Sequence, residues 1–563
     1  MFSDSAIPKI EHKNWIQSLN SYEISGLVLI YLFLLFIGIG SGSGQRFIVD
    51  EACYIEWGML QEDVPSNWIG MKLIPVVIIR DIIGIYGSGF SVLWFLKGLF
   101  SIFLLAFIVG LHLWIRSFGN NHHNQLLCSL IILGTPAIGY ASCRLLSEIP
   151  SLAFVVWGLA LLGNGGNSTK RIRGISAGLC FVGAYFCRTT SFTVIGSFAG
   201  VWLVWEFWKW SSQKNEVTLF DLLTIILKNP NSIALGIWLS SILVSHFFSA
   251  LPVSPFGTAG GHIATHQREI HANVVAFLAP TGVVLPLVGI ISSLALCLGV
   301  CSKLLLISWL WYLLAASPYL YVWMQQSWVL PRHTTDLVIP LAAIICCILR
   351  IDWRNSKITF FRLSCVFMII LLLISIWFFA HFVMNKWVTW YSHGFQSARW
   401  FGYWFGLALI LLLGCVLIVR EFQRSYSFDL KRFILLITLA LTSGVGHHFV
   451  ASSAMGVDRT FVNPFELNKL LESHLRPGDT ICSGGPNYER SLLFFSNPDY
   501  NWLFVSEAEQ LPDFKSEGGK YILLSDRVLI DESTLIELSK KALKSNAITK
   551  LDKKGVFTLY IVE

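Results

Sequence analysis

Residues 45–60 read QRFIVDEACYIEWGML and set an adjacent acidic pair, Asp50 and Glu51, directly after the first long apolar run of the chain, residues 24–41. A carboxylate in that position can act as a general base, hold a divalent cation or cap a helix. Asp50 stands ahead of the apolar-periodic EACYIEWGML and can serve as its N-cap. The choice between these roles depends on the surroundings of the pair.

Those surroundings are a membrane. The 563 residues are 54% hydrophobic, 14% aromatic and only 13% charged, a departure from the soluble average toward the bilayer. Stretches able to cross about 30 Å of hydrocarbon recur from residue 24 to residue 453 and then stop. The expected fold is a polytopic α-helical membrane protein over residues 1–457, with a first external loop at 42–90, followed by an external α/β domain over residues 458–563. The net charge of +7 is spread along the flanks of apolar spans, where Lys and Arg act as topology signals, so no nucleic-acid partner is expected.

The expected spans are 24–41, 91–115, 125–142, 149–163, 174–187, 190–208, 233–250, 275–299, 303–320, 330–349, 359–383, 401–419 and 433–453, thirteen in all. Basic clusters at 170–173, Lys209 with Lys214, Lys303, 350–357 and 420–432 then share one side, the cytoplasm. The N-terminus falls on that side, and the loops at 42–90 and 251–274 fall outside with the tail, which places the protein in the cytoplasmic membrane. Residues 73–86, LIPVVIIRDIIGIY, are too short to span and carry Arg80 and Asp81, which suits an interfacial helix. The first 23 residues lack a continuous apolar region and a small-residue cleavage site, so the first span is expected to be the anchor. Of the 12 cysteines, Cys128, Cys180, Cys297, Cys346, Cys347 and Cys365 lie in apolar runs and read as small hydrophobes. In the tail, DTICSGG, NWLFVS, KYILLS and GVFTLYIV are β-rich, and PFELNKLLESHL and ESTLIELSKKALKS are helical.

The loop VDEACYIEWGMLQEDVPSNWIGMKLIP resembles that of the GT-C superfamily of integral-membrane glycosyltransferases, in the branch of protein O-mannosyltransferases and aminoarabinose transferases. Asp50, Glu51 and Tyr54 match the opening of the family's first loop, and Lys72 with Pro75 matches its closing Lys-Pro element, spread here into KLIP. GYASCRLLSEIPSLAFVVWGLALL (139–162) is similar to the family's third and fourth spans with their acid-bearing outer turn, and WVLPRHTTDLVIPLAAII (328–345) to its late Arg-Tyr…Pro span start, with His333 in the Tyr position. The resemblance implies transfer of a hexose or pentose from a polyprenyl-phosphate donor to a protein, glycan or lipid acceptor at the outer face.

Such a reaction needs a carboxylate base near the acceptor hydroxyl and cations for the leaving phosphate. The candidates are Asp50 as base with Glu51 and Glu148 as further acids, and Lys72, Arg144 and Arg332 as phosphate-binding cations. Each cation can equally be a snorkelling anchor, and Glu148 can cap a helix or pair with Arg144 to fix the hairpin. GGHIATHQREIH holds His262, His266, Glu269 and His271; two histidines at i, i+4 can chelate a divalent metal, zinc rather than magnesium, or simply be solvated. The pairs His122–His123 and His447–His448 diverge as i, i+1 neighbours and are given no function. SGGPNYER lacks the Lys-Ser/Thr of a phosphate loop, so no nucleotide is expected. A multi-span transporter or flippase of a lipid-linked or small solute is the alternative, although the chain shows no inverted repeat; a scaffold with an external sensing domain would explain the tail but not the loop.

Overall fold

The computed structural model describes residues 21–35, 49–59, 73–119, 122–142, 144–163, 170–212, 229–247, 281, 284–297, 301–324, 331–351, 464–484, 493–504, 519–525, 548–554 and 557–562. The expected spans at 359–383, 401–419 and 433–453 lie outside them, as do Lys72, His262, His266, Glu269 and His271.

The membrane part runs α1 (Ser21–Leu35), α2 (Val49–Met59), α3 (Leu73–Tyr86), α4 (Phe90–Arg116), α5 (His122–Leu133), α6 (Pro136–Ala141), α7 (Glu148–Gly163), α8 (Lys170–Cys187), α9 (Ser191–Ser212), α10 (Pro230–Phe247), α11 (Val284–Cys297), α12 (Lys303–Met324), a 3-10 turn (Pro331–Leu337) and α13 (Val338–Leu349). Among the described residues three helices are long and apolar enough to cross a membrane, Phe90–Arg116, Ser191–Trp208 and Lys303–Tyr321, with shorter apolar helices at Glu23–Leu35, Asn124–Leu133, Glu148–Gly163, Pro230–Ser245 and Thr334–Leu349. All eight coincide with expected spans. Leu29, Ile102, Leu179, Leu239 and Leu313 are exposed, a pattern that water would penalise and lipid accommodates.

Local chemistry sets the breaks. Gly87 and Gly89 take φ values of 75° and 138°, which side chains with a Cβ rarely adopt, and the Gly87 N–H closes α3 on the Ile83 carbonyl at 2.8 Å. That turn sends the chain from α3 directly into α4. Pro136 opens α6, where its missing N–H leaves no bond unmade.

One apolar core joins α1 and α4–α13. Trp311 of α12 packs edge-on against Trp114 of α4, with ring centroids 6.0 Å apart, and donates its indole N–H to the Val194 carbonyl of α9 at 3.0 Å. Glycines let the helices approach. A Cβ at Gly178 of α8 would stand 2.9 Å from the Ala234 carbonyl of α10, and one at Gly110 of α4 the same distance from Trp157 of α7. With no apolar advantage over lipid, such close backbone contact is how membrane helices associate.

A second apolar cluster gathers Tyr54 and Ile55 of α2, Ile79 of α3, Val92, Leu93, Leu96 and Phe100 of α4, Leu145, and the core of the tail. The tail carries α14 (Pro464–His474) and a five-stranded sheet in the order β2-β1-β3-β5-β4, built from β1 (Thr480–Gly484), β2 (Asn501–Phe504), β3 (Tyr521–Ser525), β4 (Ile548–Lys554) and β5 (Phe557–Val562). β1 pairs in parallel with β2 and β3, whereas β5 is antiparallel to β3 and to β4, with an irregularity between Lys550 and Asp552. Four strands and α14 fall on the runs read from sequence. β4, ITKLDKK, was not among them because its alternation is carried by Lys and Asp rather than by apolar residues.

Gly178→Val forces the added atoms into the backbone of α10. It is expected to cost about 1–3 kcal/mol, read as a lower thermal midpoint in detergent, whereas Gly200→Val, with nothing within 4 Å of the added Cβ, leaves the midpoint in place.

Candidate functional site

The first-loop acids sit on α2. Asp50 falls within its first turn rather than ahead of it, so the N-cap expectation gives way to an acid in the turn the macrodipole favours. Glu51 follows and is fully buried. Its Oε2 lies 3.1 Å from Arg144 Nη1, and its Oε1 accepts the Leu145 N–H at 2.9 Å. Tyr54, one turn on, places its hydroxyl 3.4 Å from Ser147 Oγ. Glu51 and Tyr54 seat α2 on residues 144–147, and Gly58, further along the same helix, faces Ile79 and Ile83 of α3.

Residues 144–147 are not helical, so Arg144 and Glu148 do not have the i, i+4 geometry that would join them. The expected pair between them is not formed. Arg144 turns to α2, and Glu148, at the start of α7, meets Arg188 Nη1 at 3.2 Å through Oε1. Arg188 stands in the break between α8 and α9. The 3-10 turn, packed against α6, α7, α9 and α12, brings Asp336 to the same place, where its Oδ2 accepts the Thr190 hydroxyl at 2.8 Å. Glu148, Arg188 and Asp336 are all at least 95% buried.

Burial disfavours a charged Arg188, but Glu148 and Asp336 outweigh it and hold the guanidinium above its ordinary pKa. Among the described residues Glu51 is paired with Arg144, while Glu148 and Asp336 both act on Arg188. Glu148 Oε2 and Asp336 Oδ1 have no hydrogen-bond partner among the described residues. Two acceptor oxygens are thus left for a proton or for hydroxyl groups of a ligand.

Asp336 and Arg188 were not singled out from the sequence. Both carried a signal: an ionisable residue between apolar spans, Arg188 in YFCRTTSF and Asp336 in PRHTTDLVIP, is costly in a bilayer and is held there by partners. Arg332 lies in the 3-10 turn four residues before Asp336. Among the described residues no group of three or more His, Cys, Asp or Glu is placed to hold a metal.

The fold aligns with two crystal structures of ArnT from Cupriavidus metallidurans. The one bound to undecaprenyl phosphate matches at 13% identity and a TM-score of 0.52 over 97% of this chain and 99% of that one. The apo form matches at 13% and 0.51 over 96% and 98%. An oligosaccharyltransferase of Archaeoglobus fulgidus aligns at 10% identity with a TM-score of 0.41, over 91% of this chain and 70% of that one. No family model and no curated protein matches. The chain therefore shares the fold of these ArnT structures.

Removing one member of the Glu51–Arg144 pair strands a buried charge. Arg144→Met is expected to destabilise the protein by about 3–5 kcal/mol, and adding Glu51→Gln to it to recover part of the loss, read from thermal midpoints of the single and double variants.

Proposed function

We propose that the chain is a glycosyltransferase that moves a sugar from a polyprenyl-phosphate donor to an acceptor hydroxyl or phosphate at the outer face of the cytoplasmic membrane. The observation that carries the reading is the fully buried Glu51 clamp, which seats the acid-bearing helix α2 against the Arg144–Glu148 turn in a chain that shares its fold with ArnT. ArnT has been crystallised with undecaprenyl phosphate, the chemical class of the carrier proposed here.

In this reading Asp50 takes the proton from the acceptor hydroxyl as its oxygen attacks the anomeric carbon. A new C–O bond forms, the bond from that carbon to the phosphate oxygen breaks, and its electron pair leaves with the lipid phosphate. Lys72, Arg144 and Arg332 are the cations proposed to meet that charge, Arg144 doing so from its hold on Glu51. Glu51 is a positioning residue, since both of its oxygens are occupied by Arg144 and Leu145. Glu148 and Asp336 offer their free oxygens to sugar hydroxyls, a role for Glu148 beside the reacting groups. The tail, sharing an apolar cluster with α2–α4, is proposed to lie on the outer side and cover the loop.

The full chain, reconstituted with a panel of polyprenyl-phosphate hexoses and pentoses, is expected to release polyprenyl phosphate, and Asp50→Asn to lower the rate by about 10²–10⁴-fold. Undiminished transfer in Asp50→Asn removes the base assignment, and movement of a solute with no donor consumed removes the enzyme reading.

His262, His266 and His271 are proposed to hold a zinc ion. His262→Ala with His266→Ala is expected to lower zinc content by elemental analysis; an unchanged content leaves the cluster without a metal.

A further inference from the structure

The seam between α9 and α12 ends on a charge that the transferase chemistry does not use. Trp311 donates to the Val194 carbonyl near one end of the seam and Lys303 meets Trp208 at the other, so the two helices run antiparallel. α9 begins at Ser191, beside the Arg188 break, and the rise of the helix puts about 25 Å between that residue and Trp208. Lys303 therefore stands at the end of the bundle away from Glu148, Arg188 and Asp336.

Lys303 is exposed, and its Nζ sits 4.3 Å from the centre of the Trp208 ring. The negative face of the ring holds the ammonium in one place, but it neutralises none of the charge and leaves N–H donors for a stronger acceptor. Lys303 has no ion pair among the described residues, and Glu206, two residues before Trp208, falls on the other side of α9. Leu306 and Leu310 follow Lys303 at i+3 and i+7 on α12, while Val204 precedes Trp208 by one turn on α9 with Phe207 beside it. All four are exposed. A fixed cation thus stands over apolar strips from two adjoining helices.

We propose that this is a binding site for an anionic phospholipid, with the lipid phosphate on Lys303 Nζ, the Trp208 ring behind that ammonium and one acyl chain along Val204, Phe207, Leu306 and Leu310. Charge complementarity selects the occupant. A phosphate with no cation of its own supplies the counter-charge that Lys303 lacks, whereas a zwitterionic headgroup brings an ammonium that competes for the same phosphate. A soluble anion would meet the ammonium but leave the apolar strips uncovered. The lipid touches both helices at once, so its binding holds α9 to α12 and stabilises the folded bundle. The site lies at the other end of the bundle from the proposed sugar transfer and depends on neither its donor nor its acceptor.

The test is native mass spectrometry of the full chain in detergent, alongside thermal midpoints, with phosphatidylglycerol, phosphatidylcholine or inorganic phosphate added. The wild type is expected to retain phosphatidylglycerol in preference to phosphatidylcholine, and its midpoint to rise with the anionic lipid. Lys303→Gln should bind phosphatidylglycerol about five-fold more weakly, and Trp208→Leu should weaken it too, because the ammonium is no longer held in place. Lys303→Arg keeps the charge and the preference. Lys170→Gln, at an exposed lysine that opens α8 at the same end of the bundle, should leave binding as it was. Equal retention of the two lipids, unchanged binding in Lys303→Gln or Trp208→Leu, a loss in Lys170→Gln as large as in Lys303→Gln, or a midpoint rise given in full by inorganic phosphate overturns the proposal.

Discussion

The contact on which the site depends is the buried clamp of Glu51 on Arg144 and the Leu145 amide. In a place without water the carboxylate needs both partners, because each oxygen left bare would carry most of its desolvation cost. The clamp therefore does more than add stability. It fixes the rotation and height of α2, and with them the position of Asp50 one residue earlier and of Tyr54 one turn later. The same contact holds the turn between α6 and α7 in the non-helical course that lets Arg144 and Glu148 face different partners.

Behind the clamp, among the described residues, two acids lie beside one arginine. Each acid uses one oxygen for a partner, Arg188 for Glu148 and Thr190 for Asp336. Four elements must agree to build the clamp and this cluster: α2, the start of α7 with the turn before it, the α8–α9 break and the 3-10 turn. Such convergence is held by the apolar seams around it, above all the glycine-lined contacts of α4 with α7 and of α8 with α10.

Apolar runs and their flanking charges made the membrane helices legible, because spanning a bilayer leaves so few solutions for the backbone. Eight described apolar helices fall on expected spans, and α3 on the expected short helix. The first-loop acids could be read because Asp50, Glu51 and Tyr54 are close together in sequence. Pairings were not legible: Glu148 stands near Arg144 in the chain but meets Arg188 in space, and Asp336 passed unread beside Arg332 in the same stretch. Neighbourhood along the chain decides partners on a regular helix, whereas these groups sit at helix ends and breaks, where tertiary packing decides. His122 was set aside as half of a diverging pair; its partner, Glu23, comes from α1.

The charge cluster draws on residues from Glu51 to Asp336, and the chain is made in that order. Glu51 and Arg144 can find each other once α7 begins, but Glu148 has to wait for Arg188, and both wait for the 3-10 turn that brings Asp336. During synthesis these groups stand beside the bilayer without their final partners, so the half-built bundle has to keep its break between α8 and α9 near water. A helix run straight through Arg188 would carry that guanidinium into the hydrocarbon. The break at residues 188–190 is in that sense an instruction for assembly as much as a part of the finished site.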